Sequence, residues 1–331
     1  MPTAAPAANS SGRQDKPGTQ VEAGMQMTAP AVRALRSPQA RRLRLGLLFV
    51  SPWIIGYCAF YLYPFLATIY YSFTSFTGIG NPTFTGLSNY SDLLHDAMFR
   101  TAVWNTVYYT AIEVPFSTVA ALGLALLLNM NVRGQAVYRT LFYIPSIVPV
   151  VASSLIFVWI FQPSFGIVNG LLSDAHVNGP AWFFSIAWSK PTFILLGLWA
   201  LGQPMVIYLA ALQGVPKELY EVADLEGAGP WQRLRHVTLP QISPVILFNV
   251  ILALVVSIQY FTQAQVIESP PGSPGNSTMF YVSYYYQQAF QFLHLGYASA
   301  MAFLMFVAVL IVTVVLLRTS SRWVYYENDQ R

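Results

Sequence analysis

A chain of 331 residues is long enough for two soluble domains, yet only 9% of it is charged while 55% is hydrophobic and 15% aromatic. Its 17 basic and 13 acidic side chains are too few to cover that apolar inventory in water, so long uncharged stretches must face lipid. The net charge of +4 is spread along the flanks of apolar segments rather than gathered in one stripe, which excludes nucleic-acid binding. The single cysteine, Cys58, excludes an intrachain disulfide, a cysteine zinc site and a CxxC redox pair.

In chain order, residues 1–32 are rich in Ala, Pro, Ser, Gly, Thr and Gln. They hold too little large apolar surface to repay ordering, so a disordered tail is expected. Five arginines follow between Arg33 and Arg44, and then an apolar run over 45–73. That run is about twice the apolar core of a signal peptide and reads as an uncleaved anchor. A hydrocarbon core about 30 Å thick takes ~20 apolar helical residues. On that basis the sequence predicts six spans, at 45–73, 102–128, 137–161, 191–213, 243–265 and 297–317. Pro52, Pro64, Pro115, Pro145, Pro149 and Pro204 fall within or near their ends, which implies a packed bundle of kinked helices. The fold class is therefore all-α and polytopic, with residues 33–331 as one membrane domain. A β-barrel would need short alternating segments, and none is present.

Basic residues set the orientation. Those before the first span, Arg133, Arg139, Lys217, Arg233, Arg235, Arg318, Arg322 and Arg331 fall on one side; only Arg100 and Lys190 fall on the other. The positive-inside rule then places both termini in the cytoplasm. Residues 174–190, with Trp182, Phe183, Phe184 and Trp188, suggest a short helix lying at the membrane interface. The Pro/Gly/Ser-rich stretch 268–278 is expected to be mobile.

No lysine ends a GxxxxGK[ST] phosphate loop: Lys16, Lys190 and Lys217 are followed by Pro17, Pro191 and Glu218. His95, His176, His236 and His294 lack metal-ligand spacing. The loop after the fourth span is different. Four of the thirteen acidic residues (Glu218, Glu221, Asp224 and Glu226) lie within nine positions, and Gly227-Ala-Gly-Pro230 then breaks the helix. Glu221, Leu225 and Ala228 are expected on one helical face. A second short helix is expected from Trp231 to about Val237, stopping at Leu239-Pro240. From the residues alone, this helix–turn–helix is either a docking surface or a solvated loop capping two spans.

The segment EVADLEGA (Glu221–Ala228), with Leu234 and VTLP (Val237–Pro240) at fixed spacing, resembles the EAA motif of ABC importer permeases, in the form found in carbohydrate-uptake systems such as maltose-type permeases. Val222, Glu226 and Leu234 replace the motif's Ala, Asp and Phe. GLSNY (Gly86–Tyr90), Asn105-Thr106, RTLFYIP (Arg139–Pro145) and GYASA (Gly296–Ala300) resemble the same family, so the likeness extends from about residue 45 onward. The resemblance implies a coupling helix made of Glu221, Ala223, Glu226, Gly227, Ala228, Leu239 and Pro240. It would dock in a cleft of a separate ATP-binding subunit, with Glu221 forming an ion pair there. ATP and Mg would bind that partner, and no cofactor would bind this chain. The resemblance further implies a dimer of ATP-binding subunits, a second permease chain (a heterodimer is expected), an extracytoplasmic solute-binding protein, a sugar substrate and a place in the bacterial inner membrane. Alternating access biased by nucleotide would carry the sugar across.

For the sugar itself, hydrogen-bonding groups combined with flat rings are the expected chemistry. Trp199 and Gln203 share a face of the fourth span, and Asn249, Ser257, Tyr260 and Gln263 form a stripe on the fifth. The same residues could instead hold membrane helices together. Glu113 is the one acidic residue inside a predicted span. It is either functional, as intramembrane carboxyls tend to be, or a hydrogen-bonded carboxyl at a subunit interface. An alternative to ATP-driven import is a stand-alone secondary transporter using Glu113 to couple a proton or sodium gradient. With no Lys or Arg inside a span core, neutral sugars are favoured over phosphorylated ones.

Overall fold

A computed structural model describes residues 38–130, 133–268 and 270–325. The predicted tail at 1–32 lies outside them. Fifteen helices account for most of this range: α1 (Pro38–Tyr57), α2 (Tyr63–Ser72), α3 (Ser88–His95), α4 (Ala97–Asn129), α5 (Gln135–Ile147), α6 (Val150–Ile160), α7 (Ile167–Asp174), α8 (Ser189–Gly197), α9 (Gly202–Gln213), α10 (Lys217–Leu225), α11 (Pro230–Arg233), α12 (Leu239–Ile258), α13 (Thr262–Ile267), α14 (Tyr281–Tyr286) and α15 (Leu295–Ser320). A two-residue antiparallel pair, β1 (Thr74–Ser75) with β2 (Thr83–Phe84), follows α2. The chain divides into two units at Leu62 and Tyr63. In the first, α1 buries none of its described side chains, and Trp53, Tyr57 and Tyr61 stack along its end with ring centroids 5.5 and 5.9 Å apart.

Four stretches are long and apolar enough to cross a bilayer: Arg44–Ser72, Ala97–Asn129, Pro230–Ile267 and Leu295–Ser320. Two bent pairs bring the number to six. The spans predicted at 102–128 and 297–317 are single helices, α4 and α15. The span predicted at 45–73 corresponds to Arg44–Ser72, and the other three need correction. The predicted 137–161 span is α5 and α6 meeting at 99°. Val148, just before Pro149, is held extended at φ −64° and ψ 130°, as the proline ring demands of its predecessor. The predicted 191–213 span bends by 51° before α9. There Gly202 lies so close to α5 that a Cβ would stand 2.7 Å from the Phe142 carbonyl oxygen. The predicted 243–265 span breaks between α12 and α13.

In the second unit, the end next to α10 is a layer of small and aliphatic side chains. Ala121, Ala125 and Leu128 of α4 pack with Met205, Leu209 and Leu212 of α9 and Ile242 of α12. Small residues on α4 let the helices approach closely where lipid offers no hydrophobic drive. The opposite end is aromatic. Tyr109, Phe157, Phe183, Phe193, Tyr260 and Phe280 form one buried cluster, with Tyr109 and Tyr260 4.5 Å apart and Phe193 and Phe280 5.8 Å apart between centroids. This corrects the expectation for 174–190. The helix there ends at Asp174, a single 3₁₀ turn spans Trp182–Phe184, and Trp182 and Phe183 are buried instead of lying at an interface.

Polar side chains tie the same end together. Asn105 Nδ2 donates to the carbonyls of Asn276 (2.9 Å) and Met279 (3.1 Å), and Thr106 Oγ1 accepts from the Tyr281 amide at 2.8 Å. Asn89 Nδ2 donates to the carbonyls of Ser72 and Thr74, both at 2.9 Å. Asp96 caps α4 by accepting from the Met98 and Phe99 amides, and it also accepts from the hydroxyls of Tyr284 and Tyr297. Burial alone would push its carboxyl up, but these hydrogen bonds outweigh it and hold the carboxyl below the usual range. The stretch expected to be mobile holds buried Glu268, Ser277 and Thr278, and Ser277 Oγ lies 2.9 Å from Ser189 Oγ.

Candidate functional site

Two places combine chemistry with geometry. The first is the hairpin α10–α11. Lys217–Leu225 is helical because its apolar positions, Leu219 and Ala223, recur at i and i+4 behind an acidic first turn. It ends in a Schellman turn: Gly227, at φ +75°, donates to the Asp224 carbonyl, and Ala228 donates to the Ala223 carbonyl at 2.9 Å. Only a glycine adopts that left-handed backbone without strain. Ala228 therefore lies past the turn, off the face shared by Glu221 and Leu225, which corrects the expectation that all three align.

Pro230 then opens α11, where the Gly229 amide donates to Gln232 Oε1 at 2.8 Å. The helix does not stop at Leu239-Pro240. A π turn over Leu234–Thr238 joins α11 directly to α12, and the wider turn relieves the clash that Pro240 would make in a regular helix. Tyr220 Oη lies 3.0 Å from Thr238 Oγ1, and Arg233 pairs with Asp224, fastening the two arms.

What the hairpin shows to solvent is a mixture of acid and bare hydrocarbon. Glu218, Glu221, Asp224 and Glu226 are exposed, Leu225 is 89% exposed and Trp231 68%, while Ala223 is buried. A solvated cap would not need Leu225 and Trp231 outside, and such a patch is characteristic of a protein interface. The sequence places Leu225 on the Glu221 face and Trp231 at the start of the second helix, but not their exposure, which depends on the turn at Gly227.

The second place is a cavity of about 430 Å³ between the two end layers, bounded by α4, α5, α6, α8, α9, α12 and α13. All six residues proposed from the sequence for sugar contacts line it: Trp199, Gln203, Asn249, Ser257, Tyr260 and Gln263. Trp199 Nε1 is buried with no hydrogen-bond partner among the described residues. The Tyr260 hydroxyl lies beside that of Tyr109 but without hydrogen-bond geometry. Asn249 and Ser257 are partly engaged, donating to the Val245 carbonyl (2.9 Å) and to Thr110 Oγ1 (3.1 Å). Tyr109, Glu113, Ser117, Ser146 and Ser153 also line the cavity, so Glu113 faces a cavity within this chain. The serines were missed because single hydroxyls in apolar helices usually serve the backbone. Ser146 and Ser153 indeed donate to the carbonyls of Tyr143 and Pro149. Among the described residues no group of His, Cys, Asp and Glu is arranged to hold a metal ion.

Residues 114–325 match the family described as the binding-protein-dependent transport system inner membrane component. The chain belongs to this family. This permease is 36% identical over 305 residues to the probable ABC transporter permease protein YesP of Bacillus subtilis, covering 91% of this chain and 98% of that one. It is 36% identical over 277 residues to the sulfoquinovosyl glycerol transport permease SmoG of Agrobacterium fabrum (83% and 89%). It is 32% identical over 273 residues to the lactose transport permease LacF of Rhizobium radiobacter (81% and 91%). A permease chain in the crystal structure of a bacterial alginate ABC transporter, in complex with alginate pentasaccharide-bound periplasmic protein, shares the fold. Its TM-score is 0.76 at 22% identity, over 87% of this chain and 98% of that one. The permease is thus a multi-pass membrane protein of the ABC importer class. The comparisons lend no support to a gradient-driven secondary transporter using Glu113.

Proposed function

We propose that this permease forms half of the translocation pathway of an ATP-driven sugar importer, with hairpin α10–α11 as its docking point for an ATP-binding subunit. The observation that carries the reading is the hairpin surface: exposed Glu221 one helical turn from Leu225, beside exposed Trp231, on a turn fixed by Gly227. Glu221 supplies the charge of an ion pair to the ATP-binding subunit, and Leu225 and Trp231 supply the buried contact. ATP and Mg bind that subunit, and this chain performs no chemistry on the sugar.

One chain offers one docking hairpin, so a second permease subunit faces the second ATP-binding subunit, and we infer a heterodimer. A solute-binding protein delivers sugar at the aromatic end. The distribution of Lys and Arg puts the hairpin and both termini in the cytoplasm of a bacterial cell, with the chain in the inner membrane. The cavity lies between these ends and offers Trp199 and Tyr260 as ring faces and Gln203, Asn249, Ser257 and Gln263 as hydrogen-bonding groups for the sugar.

The test is Glu221→Lys in the assembled complex. Membrane insertion and subunit assembly should persist while stimulation of ATPase activity by the loaded binding protein falls at least ~10-fold, as expected when a buried ion pair becomes a like-charge contact. A cysteine at Leu225, in a Cys58→Ser background, should cross-link to the ATP-binding subunit. Full stimulation in the lysine variant, together with no cross-link, would reject the docking role.

A further inference from the structure

The cavity between the two end layers holds one charged side chain. Among the described residues its lining includes Glu113 and no Lys, Arg or His. The two nearest basic residues on lining helices each sit six positions (about 9 Å along the axis) from a lining residue, and neither is in the lining: Arg139 of α5 before Pro145, and Lys190 of α8 before Leu196, its Nζ over the Tyr108 ring.

Glu113 also has a seat. Gly197 stands opposite it, where a Cβ would come within 3.2 Å of Glu113 Oε1 and 3.3 Å of the Tyr109 hydroxyl. Any side chain at 197 would press on the carboxylate, so the glycine keeps a notch open for it. The hydroxyls of Ser117 and Ser257 flank the carboxylate. Each is within hydrogen-bond reach of the carboxylate and also of a second acceptor, the Val114 carbonyl for Ser117 and Thr110 Oγ1 for Ser257, so neither hydroxyl is committed to Glu113 alone. A carboxylate placed this way offers acceptor lone pairs to the space in front of it, and adjacent hydroxyl groups of a sugar are donors of matching geometry.

We propose that Glu113 is the charge filter of the cavity, accepting hydrogen bonds from hydroxyls of an uncharged sugar and turning away acidic sugars. This rests on the reading of the cavity as the sugar path. A second negative charge about 5 Å from the carboxylate, at an effective dielectric constant near 20, is disfavoured roughly 300-fold, and no cation in the lining, among the described residues, offsets it.

The experiment reads the field of the cavity directly, with no need to know the sugar. In the full complex carrying Cys58→Ser, a reporter Ala253→Cys faces the cavity one turn before Ser257. Its rates of modification by a cationic (trimethylammonium-ethyl) and an anionic (sulfonato-ethyl) methanethiosulfonate are compared with those of a free thiol. The cation-to-anion ratio should exceed the free-thiol ratio at least ~10-fold, remain high in Glu113→Asp and fall to within about 3-fold of the free thiol in Glu113→Gln. A ratio equal to that of the free thiol, or a high ratio indifferent to Glu113→Gln, overturns the filter. If the parent complex still shows ATPase stimulation by its binding protein, that failure leaves the import reading intact; loss of stimulation in the parent would count against import instead.

Discussion

At the aromatic end of the bundle, rings from α4, α6, α8 and the segments after α12 and before α14 are packed face to edge, and Asn105 and Thr106 fasten a returning loop over them. At the hairpin end, α10 and α11 project with Leu225 and Trp231 uncovered and are joined by a few exposed polar contacts. The first end is held together by contacts within the chain, with the Tyr260 hydroxyl and Trp199 Nε1 on its cavity side left without partners among the described residues. The second is locally shaped but energetically incomplete. A moving part needs both: a region that holds together through the cycle and a region whose free energy depends on what docks there.

Mutations should separate the two ends by magnitude. The largest effect is expected from Phe280→Ala, which empties the centre of the aromatic cluster. It should cost about 3–5 kcal/mol and lower the thermal midpoint of the detergent-solubilised complex. Asn105→Leu should follow at about 1–3 kcal/mol, since it takes the donor from the buried Met279 carbonyl and one of two donors from that of Asn276. Amide exchange over 276–281 should then quicken while the hairpin's is unchanged.

Gly227→Val forces a β-branched side chain to a positive φ and should cost about 1–3 kcal/mol locally. Its signature is reversed: ATPase stimulation falls while the thermal midpoint scarcely moves. Smallest is Asp224→Ala. It removes a 2.5 Å pair between exposed Asp224 and half-buried Arg233, for about 0.2–1 kcal/mol, and salt should erase most of the difference. Should Asp224→Ala destabilise the complex as much as Phe280→Ala, the contrast between the ends fails.

Acidity offers another way to sharpen it. Burial pushes the Glu268 carboxyl up to about 8, with hydrogen bonds from Thr278 and the Gly272 amide only partly offsetting it. The folded loop therefore holds a proton that the open loop releases near 4.5. The loop's stability is complete below about 4.5 and is lost as pH rises through about 8. Amide exchange in 270–280, corrected for its intrinsic pH dependence, should accelerate between these values, and Glu268→Gln should flatten the response.

The sequence reveals the hairpin because its geometry is local. Gly227 follows a helix of known length, Pro230 opens the next, and the acids are contiguous. Leu225 and Trp231 read as ordinary apolar residues until the turn places them outside. The aromatic cluster is hidden for the opposite reason: Tyr109, Phe157, Phe193 and Phe280 come from distant segments, and apolarity alone cannot distinguish a side chain facing lipid from one facing protein. Trp182 and Phe183 were mistaken for interfacial residues on this account. The 99° bend at Val148 was within reach, since Pro149 dictates an extended predecessor. For the cavity, the stripe on α12 was readable from spacing, whereas Ser146 and Ser153 join it only because α5 and α6 fold back at that bend.

The π turn at Leu234–Thr238 has a mechanical consequence. By carrying the helix through Pro240 without a break, it makes α11 and α12 one rod from Trp231 to Ile258. Ser257 lies fifteen residues beyond Ile242, about 22 Å along that rod, so a tilt of roughly 10° pivoting at Ile242 sweeps Ser257 sideways by about 4 Å. A sideways step of that size exceeds the reach of a hydrogen bond. Torque applied at Trp231 can thus release whatever Ser257 holds, with no signal passed through the lipid-facing surface at all.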